Sequence, residues 1–415
     1  MTNDMPAINV PHQGFTRRSL FRGTASLAAA TAFGRQALGA KSATGRPVLV
    51  QVFLRGAMDG LTTVVPHGDP DLYALRPTLA VPPPAAIGGA LDLDGFFGLA
   101  PAAAPLLTPW SDGRLAIVHA SGANGPTRSH FDAFVNMEIA DPAGILESGW
   151  IARYLNHVGP GTGVLRGLGV APTMPLSLRR APKSLAITNL AQFRFPGVLA
   201  TADRRVEAIT ATYEHEPAPV GAAALDTIAA LDLGGIDFTA YAPENGAVYP
   251  NTQLGRRLKH TAALIKGDIG VEAVSIDFDG WDLHADLGPL DGNMAGLLDE
   301  LTRSLEAFYL DMLGHADRYV LLCISEFGRR GYENASAGLD HGHGNAMFVM
   351  GHRVNGGQVY ADWPGLSEDD LDNGDLDITT DYRDIVGEVL QEVLGVTNLA
   401  AVFPGYTPVF RGVTS

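Results

Sequence analysis

The 415-residue chain has one cysteine, Cys323, so an intrachain disulfide and a cysteine-rich zinc site are both excluded. Cys323 lies inside the apolar run Tyr319 to Ile324, where a thiol serves as a small buried hydrophobe rather than a nucleophile. Charge is sparse as well: 18% of residues are Asp, Glu, Lys or Arg, and the formal net charge is −16. No Lys/Arg run follows the N-terminus, so the footprint of a nucleic-acid binder is missing. An acidic chain still takes anions through a few local arginines or a metal, so a phosphate or sulfate substrate is not excluded. Beyond the N-terminal segment no stretch reaches the ~18 uncharged apolar residues that a membrane span needs. There is no internal repeat and no G-x-x-x-x-G-K-[ST], G-x-S-x-G or H-E-x-x-H. A nucleotide-cradling loop, the usual serine-hydrolase elbow and a helix-borne zinc protease site all lose weight.

What is present is a globular composition rich in loops, 46% hydrophobic with 49 Gly and 27 Pro. Thr16-Arg17-Arg18-Ser19-Leu20-Phe21-Arg22, the alanine-rich segment Gly23 to Phe33 and the small residues of Ala37-Leu38-Gly39-Ala40 spell a twin-arginine signal peptide over residues 1–39. That implies the twin-arginine translocase as a partner during export and a periplasmic or extracellular destination. Twin-arginine export carries folded proteins, often with a cofactor already loaded.

From residue 46 onward, short Val- and Leu-rich runs alternate with helical patterns. Pro47 to Leu54, Leu115 to Ala120, Glu272 to Phe278 and Tyr319 to Ile324 read as buried strands, and Ala346 to Met350 as another such run. Leu254 to Ile265, Leu297 to Met312 and Asp381 to Leu394 read as helices. This rhythm predicts an α/β domain over 46–415 with a doubly wound, mostly parallel sheet flanked by helices. Between about 159 and 250 the periodicity weakens while Gly, Pro and Ala multiply, which suggests a cap-like insertion. Within it Ser184 to Leu190 and Val198 to Ala200 read as strand pieces, and Val206 to Tyr213 and Ala222 to Leu231 as helices.

Candidate chemistry collects just past the strands, where open α/β sheets bind ligands. Asp59 follows the first strand, with a salt bridge to Arg55 as the competing explanation. Ser129, between Arg128 and His130, stands at a helix start, where free N–H groups favour an anion or the serine is simply a cap. Trp281-Asp282-Leu283-His284 follows the next strand, and the period-two spacing of Asp282 and His284 points both the same way if the backbone stays extended. Ser325-Glu326-Phe327-Gly328-Arg329 follows another, and Leu339-Asp340-His341-Gly342-His343 lies on the loop after it. Acids and imidazoles delivered from several strand ends suit a metal site, and they also suit structural ion pairs.

The order Asp59, Ser129, Asp282/His284, Glu326, His341 resembles the alkaline phosphatase superfamily of phosphatases, sulfatases and phosphodiesterases. More closely, the whole mature chain resembles the bacterial family called domain of unknown function 1501. That resemblance rests on Leu54-Arg55-Gly56-Ala57-Met58-Asp59-Gly60-Leu61, Arg128-Ser129-His130-Phe131, Trp281-Asp282-Leu283-His284, Ser325-Glu326-Phe327-Gly328-Arg329 and Asp340-His341-Gly342. It implies an alkaline phosphatase-like fold and a hydrolase of a small anionic or polymer-borne phosphoester or sulfate ester. One or two divalent ions (Zn, Mn, Mg or Ca) would be held by Asp59, Asp282, His284, Glu326 and His341. Ser129 would be the nucleophile, Arg128 or Arg329 would steady the transferring group, and His343 would be a ligand, an acid/base or a supporting residue. The chain departs from the superfamily at Glu326-Phe327, where an Asp-His pair is usual, leaving one metal short of a nitrogen ligand. Ser129-His130-Phe131-Asp132-Ala133 also fails to match the formylglycine sulfatase signature. The rival reading is a binding or assembly protein on the same scaffold without the chemistry. A twin-arginine oxidoreductase is a weaker third.

Overall fold

The computed structural model describes residues 45–141, 144–161, 163–195, 197–217, 219–231 and 233–415; the expected signal peptide at 1–39 lies outside them. The first apolar run forms β1 (Val48–Arg55), buried on both faces. Val48, Val50, Val52 and Leu54 enter one core cluster, while Leu49 and Phe53 enter another on the opposite face, as the period-two alternation of a strand requires. Three two-residue strands follow, β2 (Val64–Val65), β3 (Leu91–Asp92) and β4 (Gly98–Leu99), which pair antiparallel as a small separate sheet.

The main sheet is completed by β5 (Leu115–Gly122), β6 (Gly167–Val170), β7 (Ser184–Ala186), β8 (Ala273–Asp279), β9 (Tyr319–Ser325), β10 (Asn345–Gly351), β11 (Gln358–Tyr360) and β12 (Thr380–Asp381). Its order is β11-β5-β10-β9-β1-β8-β6-β7, with β12 paired to β5. Every pairing is parallel except the two made by β10. The sheet is therefore mixed and mostly parallel, with helices on both faces, as the strand–helix rhythm predicts. Gln253–Gly267 and Asn293–Asp311 pack their apolar stripes on one face. Trp150–His157 and Tyr382–Glu388 cover the other.

Several expectations shift. In the segment 159–250, β6 and β7 extend the parallel sheet beyond β8. The piece expected as a strand at Val198 to Ala200 falls instead in a 3-10 turn, Leu199–Thr201. The closing helix is α-helical only over Tyr382–Glu388 and continues as a π-turn, Val389–Val393.

The consequence for chemistry is directional. The parallel strands β1, β5, β8 and β9 run the same way, so the loops leaving them meet at one edge of the sheet. The antiparallel β10 starts at that edge, so the loop feeding it joins the same cluster.

Candidate metal centre

The loop leaving β1 makes a tight approach to the loop leaving β8. Gly56 has φ +110, and a Cβ there would stand 2.6 Å from the Asp282 nitrogen, so only glycine allows the contact. Gly56 and Ala57 present consecutive amides that both donate to Glu326 Oε1, at 2.8 and 3.0 Å. The other Glu326 oxygen accepts from Ser325 Oγ at 3.0 Å. Glu326 is buried, and its remaining bond goes outward, to His130 Nδ1 at 2.7 Å.

His130 opens the helix His130–Ile139, which Ser129 caps by accepting from the Asp132 amide at 3.4 Å. The ring lies stacked over Phe327, centroids 4.9 Å apart. The glutamate partner raises the His130 pKa, with burial acting the other way. Phe327, at the position where the sequence resemblance leads one to expect a metal-ligating histidine, instead supports the imidazole that arrives from another strand end.

His130 Nε2 lies 3.0 Å from His341 Nε2 and 3.4 Å from Asp282 Oδ1, and His341 Nε2 lies 3.2 Å from the same oxygen. These three residues form a group able to hold a metal ion. The triangle edges are close to the ~3.3 Å ligand–ligand separation that follows from tetrahedral geometry with bonds of about 2.0–2.1 Å. His284 Nε2 closes a second triangle on the same edge, 2.9 Å from His341 Nε2 and 3.0 Å from Asp282 Oδ1.

Proton placement gives this cluster its chemical meaning. His130 Nδ1 faces Glu326, His284 Nδ1 faces Asp340 Oδ1 at 2.9 Å, and His341 Nδ1 faces the Arg128 carbonyl at 2.7 Å. All three partners are acceptors, so each Nδ1 donates to its partner and each Nε2 is left facing the centre. Three such nitrogens and a carboxylate repel one another unless protons or a cation occupy the centre. Carboxylate or carbonyl partners behind the imidazoles are the usual support of metal-ligating histidines. Asn334 steadies this support by donating to both the His284 carbonyl and Asp340.

Asp282 is half exposed, and burial would raise its pKa. The Arg329 guanidinium and the neighbouring imidazoles overcome this and hold the carboxyl far below its ordinary range. Arg329 is itself buried. It donates to Asp282 Oδ1 at 2.8 Å and to the carbonyls of Gly56, Ala57, Trp281 and Leu339. Its donors are thus committed to the protein, and it locks the β1, β8 and β10 loops together rather than facing a ligand.

The other expected residues lie elsewhere. Asp59 is buried and caps the four-residue helix Gly60–Thr63; Arg76 pairs with both its oxygens, at 2.5 and 2.9 Å. The expected competitor, Arg55, pairs instead with Glu138 and Asp277. His343 faces Asp372 and Asp375, at 3.0 and 3.3 Å, away from the three imidazoles. Arg128 also binds Asp375, through Nε and Nη2. The sequence reading placed Asp282, His284 and His341 together, as the structure does. His130 joins them from the helix start, where the Arg128-Ser129-His130 block places an imidazole that draws less attention than the serine beside it.

The family model described as "Protein of unknown function (DUF1501)" matches residues 118–398, more than half of the chain. No curated protein matches. Among solved structures, Ps i-CgsB in complex with k-i-k-neocarrahexaose is 10% identical with a TM-score of 0.37, over 85% of this chain and 73% of that one. The phosphonate monoester hydrolase of Agrobacterium radiobacter is 9% identical with a TM-score of 0.34, over 88% and 79%. Likenesses this distant carry no argument about the chemistry here.

Proposed function

We propose that this chain, which belongs to the DUF1501 family, is an exported metal-dependent hydrolase of a phosphoester or sulfate ester. The supporting observation is the convergence of His130 Nε2, His341 Nε2 and Asp282 Oδ1, with every Nδ1 proton already engaged on the far side of its ring. His284, outside that group of three but 2.9 Å from His341 Nε2 and 3.0 Å from Asp282 Oδ1, is the candidate for a fourth ligand. An imidazole-rich set with one carboxylate suits a borderline ion such as zinc better than magnesium or calcium. A divalent ion held there supplies Lewis acidity toward an ester oxygen or a water.

The chain's own residues divide the remaining tasks. Glu326, Asp340 and the Arg128 carbonyl fix the imidazoles, and Arg329 fixes Asp282. Arg128, whose side chain is 37% exposed, turns its Nη1 to the anionic group of the substrate. Ser129 is the candidate nucleophile, one residue from His130, and attack would replace its long capping bond to Asp132. The segment 159–250 is the candidate for substrate selection. The twin-arginine pattern at Arg17-Arg18 supports export, and no described helix is long and apolar enough to cross a membrane.

A binding or assembly role on the same scaffold is the second reading. It is favoured by the engagement of Asp59, Glu326 and Arg329 within the protein, which leaves one metal centre instead of a pair. Metal analysis of protein purified from the periplasm, followed by assays with aryl phosphate, phosphodiester and aryl sulfate, separates the two. Bound metal with turnover that is lost in His341→Ala supports the hydrolase. Bound metal without turnover on any ester class supports the binding role.

A further inference from the structure

A second polar cluster, rich in donors and without an acid, lies at the same edge of the sheet beyond β8. A cavity of about 130 Å³ opens where β6 ends at Val170, against the first turns of the helix Gln253–Gly267. That is several times the ~10–15 Å³ that one water requires. Arg256, Arg257, His260, Gln253, Asn189 and Thr188 line it, and none of them is an acid.

Arg257 is the informative member. It is 6% exposed, its Nη1 donates to the Asp277 carbonyl, and its Nε has no partner. Several buried side-chain donors lack a partner among the described residues, and Arg257 Nε is the one whose side chain lines this cavity, where a ligand could satisfy it. Two carboxylates act on Arg257 from a distance, Asp277 and Asp279, and the first is turned to Arg55. Asn189 spends its Oδ1 on the Ala191 amide, which leaves its Nδ2 group to donate. Thr252 caps the helix by accepting from the Gly255 amide, so the first-turn amides of Gln253 and Leu254 also point outward with the positive end of the dipole. Burial and the neighbouring Lys259 and Arg256 lower the His260 pKa to about 4, so the ring is neutral when the cavity is empty and gains a reason to protonate beside an anion.

We propose that this cavity is a second, metal-independent site for a compact tetrahedral oxyanion, phosphate or sulfate, either free or carried on a larger molecule. Arg257 and Arg256 supply the charge-assisted bonds, and Asn189, Gln253 and His260 complete the cradle.

The test is calorimetric titration of chelator-treated protein with inorganic phosphate, inorganic sulfate and glucose 6-phosphate, comparing wild type with Arg256→Ala, His260→Gln and Arg257→Lys. Circular dichroism of each variant identifies any that fails to fold, and the exposed Arg256 keeps the test open if Arg257→Lys does. Saturable binding in wild type, weakened about tenfold or more in the folded variants and kept in His341→Ala, is expected. Tighter inorganic phosphate identifies a free ion as the ligand, and tighter glucose 6-phosphate identifies a carried group. Absence of binding, binding indifferent to these variants, or binding lost in His341→Ala would overturn the assignment.

Discussion

Replacing Glu326 with Gln isolates the carboxylate that stands behind His130. The side chain keeps its shape, and an amide oxygen still accepts from the Gly56 and Ala57 amides and from His130 Nδ1. What disappears is the negative charge that raises the His130 pKa and makes its Nε2 a stronger donor to a cation. Removing such a supporting partner weakens metal affinity by about 10–100-fold, or about 1.4–2.7 kcal/mol. The variant should remain folded, because the Oε2 contact from Ser325 Oγ can reverse its donor sense toward an amide nitrogen. Competition against a chelator of known affinity reads the change directly, with His130→Ala measured beside it. Glu326→Gln should weaken binding partially, and His130→Ala should weaken it severely. Wild-type affinity in His130→Ala together with complete loss in Glu326→Gln would mean that Glu326 is itself the ligand, and the geometric reasoning would be refuted.

The remaining expectations concern the supports of the site. Arg76→Met strands the buried Asp59 carboxylate and should cost about 3–5 kcal/mol in urea unfolding, with metal stoichiometry unchanged. Ser129→Ala should remove a weak helix cap, about 1 kcal/mol or less, and abolish turnover while metal remains bound. Survival of turnover would leave Ser129 as a cap alone. In metal-free protein the raised pKa of His130 contributes stability that is fully present below the unfolded value of about 6.5. That contribution is lost as pH rises through the folded value, so melting of the metal-free protein should weaken from pH 6 to pH 8 relative to His130→Gln. Asp282 behaves oppositely: its depressed pKa contributes stability above about 3.9 that is lost only as pH falls through the lower folded value.

Much of this was legible in the sequence because it follows from local pattern. The apolar runs at 47–54, 115–120, 272–278 and 319–324 could only bury as central strands, and their ends located Asp282, His284 and His341. Cys323 sits in β9, buried, with its thiol pKa pushed up by burial. What escaped depends on partners distant in sequence. Asp59 reads as a strand-end ligand until Arg76 comes round to it. Arg329 reads as a substrate clamp until four backbone carbonyls and Asp282 claim its donors. His130 was hidden by the serine beside it, and Phe327 read as a missing ligand because its stacking partner is almost two hundred residues earlier in the chain.

His130, Asp282 and His341 are expected to hold a metal ion, with His284 as the candidate fourth ligand. Anomalous scattering from crystals of protein purified from the periplasm tests it most directly. A peak within bonding distance of the Nε2 atoms of His130 and His341 and of the Asp282 carboxylate is expected, and it should be lost in His341→Ala. A peak bound instead by Asp59, or no peak in protein that retains turnover, would contradict it.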